Sequence, residues 1–169
     1  MAEVCAEQGF GSTSVMDVAR HAGVSTASFY GQFKDKQECM LASFEELFGR
    51  LLGEVERACA AEEKPDAKVR AGLRSVAALL AGDLPATRLL AVEVAAAGLE
   101  GVRLQQEAME RLAEALAAAA GSTAVQASSR SEWVAVAAMV ALVTKRIAAG
   151  KGPEASELEA VTRAAGVSI

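Results

Sequence analysis

Residues 14–33, SVMDVARHAGVSTASFYGQF, constrain the fold more than any other stretch of the chain. Val15, Val18, Ala19 and Ala22 recur at helical spacing, the stripe of a helix with one buried face. Ser14-x-x-Asp17 has the form of a capping box, which fixes the start of that helix. Gly23 marks its end, because the residue just past a helix usually needs positive φ, which glycine adopts without strain. Val24 is placed to plug the corner. Ser25 then caps a second helix, whose Phe29 and Phe33 lie four apart, and Ala19 leaves room for a close crossing. Two short capped helices about a glycine turn fit a helix-turn-helix, whose second helix reads the major groove. They fit an αα-corner with no nucleic-acid partner as well, and spacing alone leaves both open.

The longer stretch GFGSTSVMDVARHAGVSTASFYGQFKDKQECM resembles the DNA-binding domain of TetR-family transcriptional regulators. Gly9, Thr13, Val18, Ala19, Ala22 to Ser25, Phe29, Tyr30, Phe33, Lys36 and Leu41 carry the resemblance, which covers about the first quarter of the chain. It implies an all-α protein with an N-terminal three-helix helix-turn-helix domain over 1–41. A helical effector-binding and dimerisation domain follows over 42–169. It also implies that Thr26, Ala27 and Ser28 face base edges. Tyr30 and Lys36 are then expected on phosphates, aided by Thr13 and Ser14. Ser25 and Gln32 complete the set left free by the core. Hydroxyls and backbone amides bind phosphate without net charge. TASFYGQF holds no Arg or Lys, so a bidentate guanine contact is not available from it. Ala27 suits a thymine methyl. Residues 1–8 have the pattern of the second half of a helix ending at Gly9. The family's first helix is longer and often follows a basic arm, so this one is expected to be truncated.

The charge opposes a generic nucleic-acid binder. The chain of 169 residues carries −5. Within residues 1–50, four cations (Arg20, Lys34, Lys36, Arg50) meet seven anions (Glu3, Glu7, Asp17, Asp35, Glu38, Glu45, Glu46), giving −3. Phosphate attraction should therefore be modest.

Beyond the motif the pattern stays helical. Met40, Leu41, Phe44, Leu47, Phe48, Leu51, Leu52 and Val55 predict a long helix over about 35–61, which can close the small domain and enter the second. Glu62 to Asp66 break it. Helices are then predicted over 66–81, 85–97, 102–120, 132–149 and 154–165, with a polar loop at 122–131. Glu93 interrupts an apolar run, so it belongs at the edge of a stripe or facing a cavity; the edge is favoured. The 132–149 helix is apolar nearly all round and must be buried on more than one side. The resemblance implies that it pairs with the last helix across a two-fold axis, through Val136, Val140, Val143, Ile147, Leu158 and Val161.

The same resemblance places an effector between the small domain and the dimer interface. Phe44, Phe48, Leu51, Leu80, Leu90, Glu93, Met109 and Trp133 are the candidate lining. Aromatics are only 4% of the chain and alanine fills many stripe positions, so the bundle either packs closely or keeps an apolar pocket. A hydrophobic, neutral or weakly cationic effector is expected, with Glu93 supplying the polarity.

Other classes find little support. One histidine, His21, leaves no Ser-His-Asp set, and there is no phosphate loop, carboxylate pair, metal spacing or strand pattern. No catalytic residue, metal or cofactor is expected. Cys5, Cys39 and Cys59 fit a reducing compartment. No apolar run reaches the roughly 18 residues that would span a membrane, and no signal peptide is seen. A cytoplasmic homodimer that binds a double-stranded, palindromic DNA operator and a hydrophobic effector is the reading, most often a repressor. The alternative is a helical small-molecule-binding protein of the same fold with weak or lost DNA binding.

Overall fold

The computed structural model describes residues 1–121 and 131–164, without the side chains of 131 and 162. The predicted loop at 122–131 lies outside the described residues except for its last position. Helix α1 spans Ala2–Ser12, α2 Val15–His21, α3 Thr26–Tyr30, α4 Lys36–Ala60, α5 Pro65–Gly82 and α6 Leu84–Ala91. A 3-10 turn, Glu93–Ala97, leads into α7, Leu99–Ala119. Two further helices follow, α8 over Ser131–Ala148 and α9 over Ala155–Ala164. No strand occurs among the described residues.

The starts of the helices follow from local chemistry. Ser14 and Asp17 make the capping box reciprocally, each accepting from the other's backbone amide. Ser25 accepts from Ser28 N, Asp35 from Glu38 N and Asp83 from Ala86 N, so α3, α4 and α6 also begin on a side-chain cap. Pro65 stands in the first turn of α5, where its missing N–H costs nothing. Gly23, at φ 68°, makes the turn between α2 and α3. Val24 is exposed there rather than plugging the corner.

One predicted element is divided. The apolar stretch 85–97 does not run as a single helix. It breaks at Val92 (φ −129°, ψ −58°), and Glu93–Ala97 continue as 3-10. A straight helix would hold Glu93 on the register of Leu89 and Leu90. The break turns it instead toward the kink in α1, where Gly9 has φ 76°.

Two apolar clusters hold the molecule together. The small one joins Val18, Ala19, Phe29 and Cys39, with Val15 and Phe33 against them. The large one starts at Cys5 and Phe10 of α1, follows α4 through Met40, Phe44, Phe48 and Val55, and ends at Leu158 of α9. Helix α4 thus serves both: Cys39 faces one cluster and Met40 the other. Helix α1 packs on α6 and the 3-10 turn, while α9 folds back on α5 and α8.

Small residues set the closeness of the helices. A Cβ on Gly72 would meet Cys59 Sγ at 2.7 Å, and one on Gly101 would land on the Val94 carbonyl. Gly101→Ala should therefore cost about 1–3 kcal/mol by overpacking. Gly49 has open space around its missing Cβ and lies inside α4. Gly49→Ala should raise stability by up to about 1 kcal/mol through helix propensity. Chemical denaturation of the two variants checks the opposite signs.

Candidate nucleic-acid interface and apolar cavity

The reading surface is built from its cap upward. Ser25 Oγ lies 3.0 Å from both Ser28 N and Ser28 Oγ, which fixes the first turn of α3. Phe29 is buried and anchors the helix, with its ring centroid 5.4 Å from Phe33 and 5.6 Å from Tyr30. Thr26, Ala27, Ser28, Tyr30 and Gln32 are left exposed together, and Ser14 is exposed at the start of α2. The surface is hydroxyl-rich and carries no cation within α3. Arg20 is ion-paired to Asp17, and His21 lies against Glu3. The Ser14 side chain and amide hold the Asp17 carboxyl below its usual pKa.

Two residues expected at phosphates have other partners. Thr13 is only 2% exposed, and its hydroxyl donates to Gly9 O at 2.8 Å. It ties the end of α1 rather than presenting an oxygen to solvent. Lys36 Nζ donates to Phe10 O and Thr13 O, each at 2.8 Å, and sits 4.4 Å from the Phe10 ring centroid. Its charge adds to the Thr13 N–H already on Phe10 O and gives Thr13 O a donor.

Six of the eight proposed effector residues, Phe44, Phe48, Leu51, Leu80, Leu90 and Met109, line one apolar cavity of about 60 Å³. Val136, Met139, Val140 and Val143 of α8 close its far side. Gln105 is the polar residue of the lining, and its Nε2 donates to Leu90 O at 2.8 Å. Trp133 is not part of the lining and is 39% exposed.

Glu93 is likewise absent from the cavity, and it is not at the edge of a stripe either. It is 7% exposed, accepts from Phe10 N at 2.9 Å through Oε2, and pairs with Arg88 Nη2 at 3.0 Å through Oε1. It therefore lends no polarity to an effector. Its position in an apolar run was a visible signal, but its partner is 83 residues away and is a backbone amide, which no side-chain pattern announces.

The outer contacts also differ from expectation. Val136, Val143, Ile147 and Leu158 are buried within the chain itself, and Val140 and Val161 are half-buried. The large apolar residues that α8 turns outward are Trp133 and Val134, the latter 50% exposed. A helix apolar all round offers no periodicity from which to choose the inward face. The thiols of Cys5, Cys39 and Cys59 are buried, and burial raises their pKa. They stay protonated near neutrality and carry no thiolate chemistry.

The family described as "Bacterial regulatory proteins, tetR family" matches residues 2–43. Over those residues the chain is similar to the TetR family. A curated relative, the fatty acid metabolism regulator protein of Bacillus subtilis (strain 168), is 34% identical over 83 residues. That stretch is 48% of this chain and 42% of the relative, so the match spans less than half of the relative's length. Among solved structures, the transcriptional regulator FadR of Bacillus subtilis in complex with stearoyl-CoA superposes with a TM-score of 0.77 at 20% identity. The alignment covers 97% of this chain and 92% of that one. The fatty acid degradation regulator FadR of Bacillus halodurans gives 0.81 at 16% identity, covering 97% and 89%. At these identities the structural likeness establishes a TetR-type all-α fold with an N-terminal helix-turn-helix. No helix among the described residues is long and apolar enough to cross a membrane.

The Glu93 junction makes a direct test. Glu93→Ala leaves Phe10 N without an acceptor and Arg88 without its counter-ion, and should cost about 2–4 kcal/mol. Glu93→Gln keeps an acceptor oxygen and should cost less. Urea unfolding of both variants measures the difference.

Proposed function

We propose that the chain is a ligand-responsive transcriptional regulator, a repressor that binds a palindromic DNA operator as a symmetric dimer. The observation that carries this reading is the capped α2–α3 unit, whose core residues are buried while Thr26, Ala27, Ser28 and Tyr30 stand exposed on α3 and Gln32 just past its end. A five-residue reader without cations binds weakly alone. Two of them on a palindrome add their binding energies, which is the physical case for a dimer. The outward apolar residues Trp133 and Val134 of α8 are the proposed contact, in place of the buried valines. Acting on DNA, the protein would work in the cytoplasm.

The apolar cavity is the proposed effector site. A relative solved with stearoyl-CoA supports an effector with a long apolar tail. Its route to the DNA is short in sequence. Leu90 and Ala91 face the cavity, and Glu93 just beyond them grips Phe10. Phe10 and Thr13 carbonyls in turn hold Lys36 at the start of α4. An effector that displaces the end of α6 changes where α1 sits, and with it the angle of α2 and α3 relative to the body. Only an effector that favours one arrangement over the other shifts DNA affinity.

A gel shift with DNA flanking the protein's own gene tests the reading. The native protein should retard it as a single dimer-sized complex. Tyr30→Ala should weaken binding to every sequence by roughly fivefold per contact, for a hydrogen bond of about 1 kcal/mol. Thr26 and Ala27 substitutions should alter which sequence wins. Lys36→Ala should leave the slope of affinity against salt unchanged, because its charge already serves Phe10 O and Thr13 O. Failure to retard any fragment of random DNA after selection would favour the alternative, an effector-binding protein of this fold that no longer binds DNA.

A further inference from the structure

The apolar cavity adjoins a surface groove, and side chains of the same residues line both. The groove, about 220 Å³, lies between α4, the end of α5 and α6, and it shares Leu51, Leu80 and Leu90 with the cavity. Resting on the reading of that cavity as the effector site, we propose that this groove is the entrance and the head-group subsite. We further propose that it takes a single-chain amphiphile whose head is uncharged and hydroxyl-bearing.

A cavity of about 60 Å³ is too small for a long chain by itself. The groove beside it is the larger space, and a chain that displaced the three shared leucine side chains would run through both. Such a chain keeps its apolar part against Phe44, Phe48 and Met109 and leaves its head among the polar groups of the groove.

The rim decides the head. Arg50, Glu54 and Asp83 are its charged groups, one cation against two carboxylates. Arg50 leans toward Glu46 at 3.7 Å, Glu54 toward Arg57 at 2.6 Å, and Asp83 caps Ala86 N at 3.0 Å. Thr87 offers nothing, since its buried hydroxyl donates to Leu80 O. The carboxylates retain lone pairs that accept from hydroxyls, and the guanidinium retains donors for an ester or hydroxyl oxygen. A polyanionic carrier would instead meet net negative charge. The neighbouring groove between α4 and α7 gives it no alternative mouth, with Glu38, Glu45, Glu100 and Glu107 against Arg103.

The test uses the full chain and two ligands of equal chain length, a monoacylglycerol and the corresponding acyl-CoA, each below its critical micelle concentration. The monoacylglycerol should raise the melting temperature and give saturable heat in titration calorimetry. The acyl-CoA should bind at least about tenfold more weakly at low salt, with the gap narrowing as salt screens the rim. Glu54→Lys, at a half-buried position outside the apolar core, should shift the ratio toward the acyl-CoA by about tenfold. Leu80→Trp should block both. Acyl-CoA binding as tightly as the glyceride, or an unchanged ratio in Glu54→Lys, overturns the head-group assignment. Binding of neither ligand overturns the entrance as well. DNA retardation measured without any lipid keeps the regulator reading separate, because it stands or falls on that result alone.

Discussion

The buried contact between the Glu93 carboxylate and the Phe10 amide organises the rest of the molecule. It begins with Gly9, whose positive φ breaks α1 and leaves Phe10 N without its intrahelical acceptor. A buried amide needs a partner, and Glu93 Oε2 supplies it at 2.9 Å. A buried carboxylate in turn needs compensation, and Arg88 from α6 provides the charge. To reach both, the chain leaves α-geometry at Val92 and continues as 3-10. One backbone kink thus explains a buried acid, an ion pair and a broken helix. It also docks α1 on the same element that presents Leu90 and Ala91 to the cavity.

The electrostatics of the small domain follow a similar economy. Its surface is acidic, and Lys36, the cation that the sequence resemblance places on a phosphate, is engaged by backbone carbonyls. It holds the carbonyls of Phe10 and Thr13 and lies over the Phe10 ring. Phe10 is therefore fixed from both sides, by Glu93 through its amide and by Lys36 through its carbonyl. Recognition on such a surface rests on hydroxyls, amides, methyl groups and shape rather than on charge. On the proposed function, affinity would come from symmetry, two readers acting together.

The low aromatic content shows its effect in the packing. Gly72 and Gly101 let helices approach to where a Cβ would collide, so much of the missing volume is taken up by closer axes. What remains is a small apolar cavity rather than a large one. Both outcomes expected of an alanine-rich bundle occur together, in different layers: close crossings at α5–α7 and α7 on the 3-10 turn, and the cavity among α4, α6 and α8.

The helices themselves were determined by the sequence. Caps at Ser14, Ser25, Asp35 and Asp83 and the glycine turn at Gly23 act over a few residues, so their consequences are readable locally. The exposure of Thr26, Ala27, Ser28 and Tyr30 and six residues of the cavity were legible for the same reason, since helical periodicity separates a buried stripe from a free one. Thr13 and Lys36 could not be assigned in this way, because a hydroxyl or an ammonium looks the same in sequence whether it meets a phosphate or a carbonyl. Glu93 needed a backbone partner created by a kink far away in the chain. In α8 nearly every face is apolar, so only the packing of α5, α6, α7 and α9 against it decides that Val136 and Val143 point inward and Trp133 and Val134 point out. Periodicity reports contrast between faces; where contrast is lacking, or where the partner is a distant amide, the tertiary structure alone makes the choice.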